Sequence, residues 1–476
     1  MRRIAAALAA GSSLFGATDA LAQTAVEWQS SLTVGVGVTD NIANTPPVED
    51  GAPEGTVGPE ADAFATLGPG IAFLFESPSI THELAYAFGL NLYFAHLEAT
   101  AYSNSLSYAL RAPVGEATEL MAGLSGSQST LSVFNLAGPA RSTPVDASGG
   151  GDTVLVTATA SQGLRHELSP AWSFGQGLSA TLARTLVPDA DDLESYVLSG
   201  TLGLGYALSE GEIGASVSND TMIIPRGGGI GAETATRIQN VHTAQLSWRY
   251  PWTDEWSSSL SGGALVAYTA DDPGDIFAHP AGSVAVDYLS DRGSAQLSYS
   301  HGAAPNLLLG LITLADSVTL RGGVPIASTG FDVAGSVGYV ATRPYLTDGF
   351  GPPGHGVLGD AGVGWIPESA PLRLELRYQI VRQFAPELEP GQDAAATGIP
   401  ALERQTVLVT ATFAYPNPPT VGGGGAGSLV TVSAPTSDPD IMRTNAPRTE
   451  RERDETERRE KEEADERRER LGGHGK

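Results

Sequence analysis

Residues 28–38 read Trp-Gln-Ser-Ser-Leu-Thr-Val-Gly-Val-Gly-Val, and apolar side chains alternate with small or polar ones along them. Leu32, Val34, Val36 and Val38 fall on one face, and the residues between them are threonine or glycine. A period of two is that of a β-strand with two unlike faces. One face of this strand is apolar enough to contact lipid, and the other is small and polar.

The same alternation recurs as far as Tyr415, and it is clearest at residues 83–94. It predicts an all-β fold of about eighteen strands. The predicted strands are residues 28–38, 64–75, 83–94, 104–112, 118–129, 153–164, 172–186, 196–208, 213–223, 237–250, 256–270, 282–289, 294–301, 314–325, 331–341, 357–366, 372–382 and 405–415.

The connections between these strands alternate between short and long. Residues 113–117 and 209–212 are short connections, whereas 130–152 and 383–404 are long. This alternation predicts a transmembrane antiparallel up-and-down β-barrel, whose even strand number returns both termini to the periplasm. A soluble sandwich or propeller would also alternate, but faces of glycine, serine and threonine would build a poor dry core.

The first residues predict the compartment. Arg2 and Arg3 precede an apolar stretch, and Ala20-Leu21-Ala22 supplies a small-x-small cleavage pattern, so residues 1–22 read as a signal peptide. The chain contains no cysteine, which excludes both a disulfide framework and the lipid-bearing cysteine of a lipoprotein. Residues 23–415 are then the predicted barrel.

Two further segments follow the barrel. Residues 416–447 are rich in glycine and proline and read as a flexible linker. Residues 448–476 are a charged tail, in which opposite charges four residues apart, such as Glu455 and Arg459, can hold a solvated helix without a core. The tail is either a periplasmic docking arm or a solvated extension without a partner. The net charge of −27 argues against nucleic acid as a partner.

The strand at 372–382 supplies the main candidate site, because polar residues occupy every second position. An arginine on the lipid side costs roughly 2 to 4 kcal/mol at the membrane midplane, so these side chains are expected to line the pore. The pore-lining candidates by this argument are Arg373, Glu375, Arg377, Gln379, Arg111, Arg249, Asp287 and Glu83, with Asn91 and Gln245 as further members.

Two interpretations of these candidates remain open. The charges could form an arginine-lined selectivity filter. Alternatively they could solvate a polar wall, with Arg373 and Arg377 neutralised by Glu375 between them. The sequence gives no pattern for a catalytic, cofactor or metal site, since the eight histidines are scattered and Gly-x-Ser-x-Gly is absent. An enzyme is therefore not predicted.

The chain resembles bacterial outer-membrane β-barrel, porin-like proteins. The resemblance lies in Ala20-Leu21-Ala22 followed by the strand ending at Asn41, and in the aromatic-ended last strand, residues 407–415. It implies insertion by the barrel assembly machinery into outer-membrane lipid. In most of the family the final aromatic residue ends the chain, whereas about sixty residues follow it in this sequence.

Barrels of this size include several kinds of channel, so the sequence predicts a class of function rather than a cargo. The predicted function is an outer-membrane channel for hydrophilic solute or polymer, most specifically polysaccharide export, with the tail contacting a periplasmic export or cell-wall partner. A general diffusion porin is one alternative. A structural barrel that anchors the envelope without transport is the other.

Overall fold

The computed structural model of the protein describes residues 25–42, 58–77, 79–130, 154–186, 193–225, 236–270, 272–306, 311–326, 329–346, 349–367, 371–384 and 401–415. The predicted signal peptide, linker and charged tail lie outside the described residues. The only helical turn in these ranges is a 3-10 turn, Leu97–Ala99. No helix of the described chain is long and apolar enough to cross a membrane.

The described residues form nineteen strands. They are β1 (Ala25–Thr39), β2 (Asp62–Ser77), β3 (Ile80–Tyr93), β4 (Ala101–Pro113), β5 (Thr118–Thr130), β6 (Val154–Glu167), β7 (Trp172–Leu186), β8 (Leu193–Leu208), β9 (Gly211–Ile224), β10 (Arg237–Pro251), β11 (Trp256–Thr269), β12 (Asp272–Ser290), β13 (Gly293–Asn306), β14 (Leu311–Ile326), β15 (Phe331–Leu346), β16 (Gly349–Phe350), β17 (Gly354–Trp365), β18 (Leu372–Phe384) and β19 (Leu402–Tyr415).

The strands form a closed antiparallel barrel. Each long strand pairs with its neighbours in the chain, and β1 closes the sheet by pairing with both β2 and β19. The two-residue strand β16 pairs only with the end of β15, so β15 continues the wall directly to β17. The wall therefore contains eighteen strands, and the predicted all-β up-and-down barrel is confirmed. Closure gives every strand of the wall a paired neighbour on both sides along at least part of its length.

The wall has two unlike faces. On β10, Leu246 and Trp248 are 69% and 40% exposed, whereas Gln239 and Val241 on the alternate positions are fully buried. The side chain of Gln239 bonds to the backbone of Ile312 on β14, four strands away in the sheet. Residues of this second face therefore point into the barrel, and the apolar face points outward.

Short turns join the strands at one end of the barrel, which also holds the first residue of β1 and the last of β19; this is the short-connection end. The opposite end is the long-connection end. At the short-connection end, Gly211 and Gly293 begin β9 and β13 with φ of 113° and 147°. Glycine adopts this left-handed region without the steric penalty that a Cβ would bring.

Aromatic residues form a band on the outer face at the short-connection end. The ring centroids of Trp28 and Tyr415 lie 5.6 Å apart, and those of Trp172 and Tyr206 lie 4.7 Å apart. Further members are Trp248, Tyr250, Trp252, Trp256, Tyr288, Phe331 and Trp365.

A second outer band, nearer the long-connection end, consists of tyrosines bonded to polar side chains. The Tyr378 hydroxyl donates to the Gln405 side-chain oxygen at 2.9 Å, and the Gln128 amide donates to the Tyr102 hydroxyl at 2.9 Å. The other pairs are Tyr86 with Asn104, Tyr196 with Glu194, Tyr268 with His242, Tyr299 with Asp316 and Tyr339 with His355.

The wall splits between β12 and β13 towards the long-connection end. The pairing of these strands stops at Gly282 with His301, although β12 continues to pair with β11 and β13 with β14. The ends of β13, β14 and β15 beyond the split turn into the barrel. Residues 302–306, 311–314 and 343–345 of these strands are called the inner layer below.

Candidate functional site

The inner face near the short-connection end carries an ion pair between β18 and β15. The Arg373 guanidinium donates to both oxygens of the Asp332 carboxylate, at 2.6 and 2.8 Å. Its Nε donates to Glu375 Oε2 at 3.3 Å. The side chains of Arg373 and Asp332 are only 9% and 5% exposed. This two-point geometry is the strongest arrangement of arginine with a carboxylate.

Strand β17 lies between these two partners, and glycine makes their contact possible. Gly364 is opposite Asp332 on one side and Glu375 on the other. A Cβ built at Gly364 would overlap both the Arg373 guanidinium and the Asp332 carboxylate. The bare backbone at this position therefore lets the arginine reach across a whole strand.

A second group of polar contacts lies beside this ion pair. Arg377 donates to Asp360 Oδ2 at 3.1 Å, and the Ser336 hydroxyl also donates to this carboxylate. Further along the wall, on β12 and β13, the Gln296 amide donates to Asp287. Asp287 and Asp360 therefore each accept a hydrogen bond from a neighbouring side chain. The charged patch comprises Asp287, Gln296, Arg321, Ser336, Asp332, Asp360, Arg373, Glu375 and Arg377.

Arg321 differs from the other two arginines of the charged patch. It lies on the inner face of β14, opposite Gln296 on β13 and Ser336 on β15, and its side chain is exposed. Within the described part of the chain it makes no ion pair, whereas Arg373 and Arg377 both do. Arg321 is therefore the arginine of the charged patch whose charge is not balanced by an ion pair among the described residues.

Sequence analysis missed Arg321, although the same alternation was available to find it. Arg321 follows outward-facing Leu320 within a predicted strand, so its position in the pattern places it on the inner face. It was missed because the run around it lacks the repeated charges of residues 373–379.

The remaining sequence candidates occupy other parts of the inner face. Gln379 is opposite Asp360, next to the patch. Glu83 on β3 is opposite Ala109, and Arg111 is two residues further along β4, so Glu83 and Arg111 are diagonal neighbours. The other three lie apart: Asn91 on β3, and Gln245 and exposed Arg249 on β10. Their role in lining a conducting pore stays a prediction.

The inner layer forms the second part of the site. Ile312, Leu314 and Tyr345 take positions that would face outward on a continuous wall, but they pack against the inner face of β8 to β12. Their partners there include Met222 and Val241. Residues 311–314 are all buried, because the neighbouring wall covers the face that would otherwise be exposed on the outside of the barrel. The layer therefore lies inside the barrel and narrows its lumen.

Aromatic rings hold the end of the layer formed by β15 and β16. The ring centroids of Tyr345 and Phe277 are 5.7 Å apart, and those of Tyr345 and Phe350 are 5.1 Å apart. Because Phe277 lies on the inner face of β12, this cluster joins the layer to the wall across the split.

No metal site is evident in this part of the molecule. Among the described residues, no group of three or more histidine or acidic side chains is arranged to hold a metal ion. The arrangement instead offers paired charges, hydroxyls and amides facing an enclosed space, which can bind water and polar solutes but contain no activated nucleophile.

Comparison with known proteins gives structural likenesses only. No protein-family model and no curated protein sequence matches the chain. Pseudomonas aeruginosa OccK2 (OpdF), solved in complex with glucuronate, is 12% identical with a TM-score of 0.42, over 82% of this chain and 98% of that one. Acinetobacter baumannii OccAB3 is 11% identical with a TM-score of 0.42, over 82% and 100%.

The FrpB iron transporter of Neisseria meningitidis is 9% identical with a TM-score of 0.45, over 82% of each chain. At these identities and TM-scores the likenesses assign no function. The fold and its interpretation rest on this chain's own geometry.

Proposed function

We propose that the protein is an outer-membrane channel that passes small hydrophilic solutes. The observation that carries this proposal is a closed wall of eighteen strands with an apolar outer face and a charged, hydroxyl-rich inner face. Barrels of roughly 16 to 18 strands are wide enough to leave an aqueous channel, whereas barrels of about 8 strands are filled by their own side chains.

The outer face supports placement in a membrane. Large apolar side chains are exposed on strand after strand, among them Leu246, Leu260 and Val337. A soluble protein rarely exposes a continuous apolar surface of this extent. On β15, Phe331 of one aromatic band and Tyr339 of the other are eight residues apart, which spans roughly 20 Å at the usual strand rise and tilt. This approaches the apolar height of about 25 Å in outer-membrane barrels.

The orientation and partners follow from the same proposal. With both ends of the barrel chain at the short-connection end, that end faces the periplasm and the long connections face outward. The barrel assembly machinery would insert the chain, reading the aromatic-ended strand β19. A periplasmic export or cell-wall partner bound by the charged tail remains a prediction.

The inner layer favours small solutes over a polymer. Polysaccharide export was preferred on the basis of the tail, which lies outside the described residues. The layer narrows the lumen with packed apolar side chains and backbone rather than leaving a wide duct. We therefore place a solute channel first, and polysaccharide export and a non-conducting anchor second.

Uptake into liposomes tests this proposal. Vesicles that contain the purified barrel are expected to admit monosaccharides and small organic ions, and to exclude sugars above a sharp size limit. Vesicles without the protein are the control. Entry of long oligosaccharides at a rate similar to that of monosaccharides would favour the polymer duct, and no entry at all would favour the structural barrel.

A further inference from the structure

The amide of Gln239 occupies an unusual position in the inner layer. The ladder between β14 and β15 runs as far as Thr313 opposite Pro344, so the next pair in register would be Ile312 with Tyr345. The Gln239 carboxamide lies between these two residues instead. Its oxygen accepts from the Ile312 N–H at 2.8 Å, and its nitrogen donates to the Tyr345 carbonyl at 3.1 Å.

A glutamine suits this position because its amide has the same donor and acceptor as a peptide group. The Gln239 side chain is fully buried, and Ile312 is fully buried beside it. Removing the amide would leave the buried Ile312 N–H without this acceptor, which is unfavourable in an interior that excludes water. Gln239 therefore continues the hydrogen-bond ladder between β14 and β15, although its own strand, β10, lies on the β12 side of the split.

The hydrogen bonds of Gln239 join the wall to the inner layer. Gln239 belongs to β10 in the wall, whereas Ile312 and Tyr345 belong to the ends of β14 and β15. One side chain thus fixes two strand ends to the inner face of the wall. Close by, Tyr345 packs against Phe277 of the wall, and Arg237 also donates to the Tyr345 carbonyl at 3.4 Å.

We infer that Gln239 is the positioning residue that sets the size limit of the channel, by holding the inner layer in the lumen as a substitute rung of the β14–β15 ladder. This inference rests on the proposed function as a channel. Without the amide, the Ile312–Tyr345 rung is free to close within the layer, and the layer keeps only the longer contact from Arg237 as a described hydrogen bond to β10. The lumen then widens at the long-connection end.

The test compares a glutamine of the inner layer's attachment with a glutamine of the outer face. Gln239→Met keeps the length of the side chain but removes both hydrogen bonds. Gln128→Met is the matched control, because Gln128 makes its side-chain hydrogen bond to Tyr102 on the outer face of the barrel, away from the lumen. Phe277→Leu is a milder second variant that loosens the packing of Tyr345 without leaving a polar group unpaired. Heat-modifiable gel mobility shows whether each barrel has folded.

Single-channel conductance with added polyethylene glycols of graded size is the measurement. Gln239→Met is expected to raise conductance about twofold and to admit larger polymers, since a wider constriction carries more ions. Phe277→Leu is expected to change both quantities in the same direction by less, and Gln128→Met to match the wild type. If Gln239→Met does not fold, the comparison of Phe277→Leu with Gln128→Met decides.

The outcomes separate the two claims. A conducting wild type with a folded Gln239→Met variant of unchanged conductance and size limit would overturn the role of Gln239 and leave the channel standing. A wild type and variants that are all silent would overturn the channel itself. A silent wild type beside a conducting Gln239→Met variant would support the role of Gln239 in holding the layer and would overturn the wild-type protein as an open channel.

Discussion

Arg321 and Arg373 lie on the same inner face but in different surroundings. Arg373 is buried between two carboxylates, so its charge is balanced within the wall. Arg321 is exposed and faces the lumen without an ion pair among the described residues. In the proposed channel, a passing ion therefore meets the charge of Arg321, whereas the charge of Arg373 acts mainly on the stability of the barrel.

Arg321→Gln is expected to shift ion selectivity towards cations and to leave the unfolding free energy at its wild-type value. Reversal potentials across a salt gradient measure the first quantity, and urea titration in lipid vesicles the second. Arg373→Gln is expected to lose about 3 kcal/mol of stability, because it leaves buried Asp332 unpaired. Equal stability losses in the two variants would contradict this distinction.

Gly364→Ala is expected to destabilise the barrel by about 1 to 3 kcal/mol, because the new methyl group would push apart Arg373 and Asp332. Gly362→Ala is the matched control on the same strand and face. A Cβ there would meet Glu375 and Leu376 at 3.4 Å, which is ordinary contact distance. Urea titration of both variants is the measurement, and equal stabilities would show that Gly364 is not needed for the ion pair.

For single residues, the sequence predicts which side chains face inward, but not which of them contact each other. Alternation alone placed Arg373, Glu375 and Arg377 on the inner face. The partner Asp332 lies 41 positions earlier on another strand, and its contact depends on the register of β15, β17 and β18. Neutralisation of Arg373 by Glu375 is one of the two interpretations that the sequence allows, and the structure adds Asp332 as the closer partner.

For the strands, too, the local sequence pattern predicts one part of the structure, and contacts between residues distant in the sequence determine the rest. All eighteen predicted strands are present, because each has one face against an apolar surrounding and one face against a polar lumen. On the side of the long-connection end, the predicted strands reach only residues 282, 301, 314 and 341. The observed strands β12 to β15 extend further in that direction. On β14 the added residues 311–314 are buried on both faces, so the alternation that marks a strand is lost there.

Leu246→Arg and Gln245→Arg test the assignment of the two faces with neighbouring residues of β10. Leu246 is 69% exposed on the outer face between the two aromatic bands, so an arginine there is expected to cost about 2 to 4 kcal/mol in vesicles. Gln245→Arg places the same charge in the lumen and is expected to have little effect on stability. Urea titration in vesicles measures both, and the reverse order of stabilities would contradict the assigned faces.

The whole molecule combines a barrel that the structure describes with a charged tail outside the described residues. Removal of residues 443–476 is expected to leave conductance unchanged, because the inner layer and the charged patch belong to the barrel alone. Channels that open only after this removal would instead make the tail a gate.

Single-channel recording of the mature protein in planar bilayers, with and without the tail, tests the central claim most directly. The account predicts a steady open conductance in both forms that rises with salt concentration, since the closed wall has a charged, hydroxyl-rich inner face. Silence of both forms, with the barrel shown to be folded and inserted, would contradict the channel and leave a structural barrel.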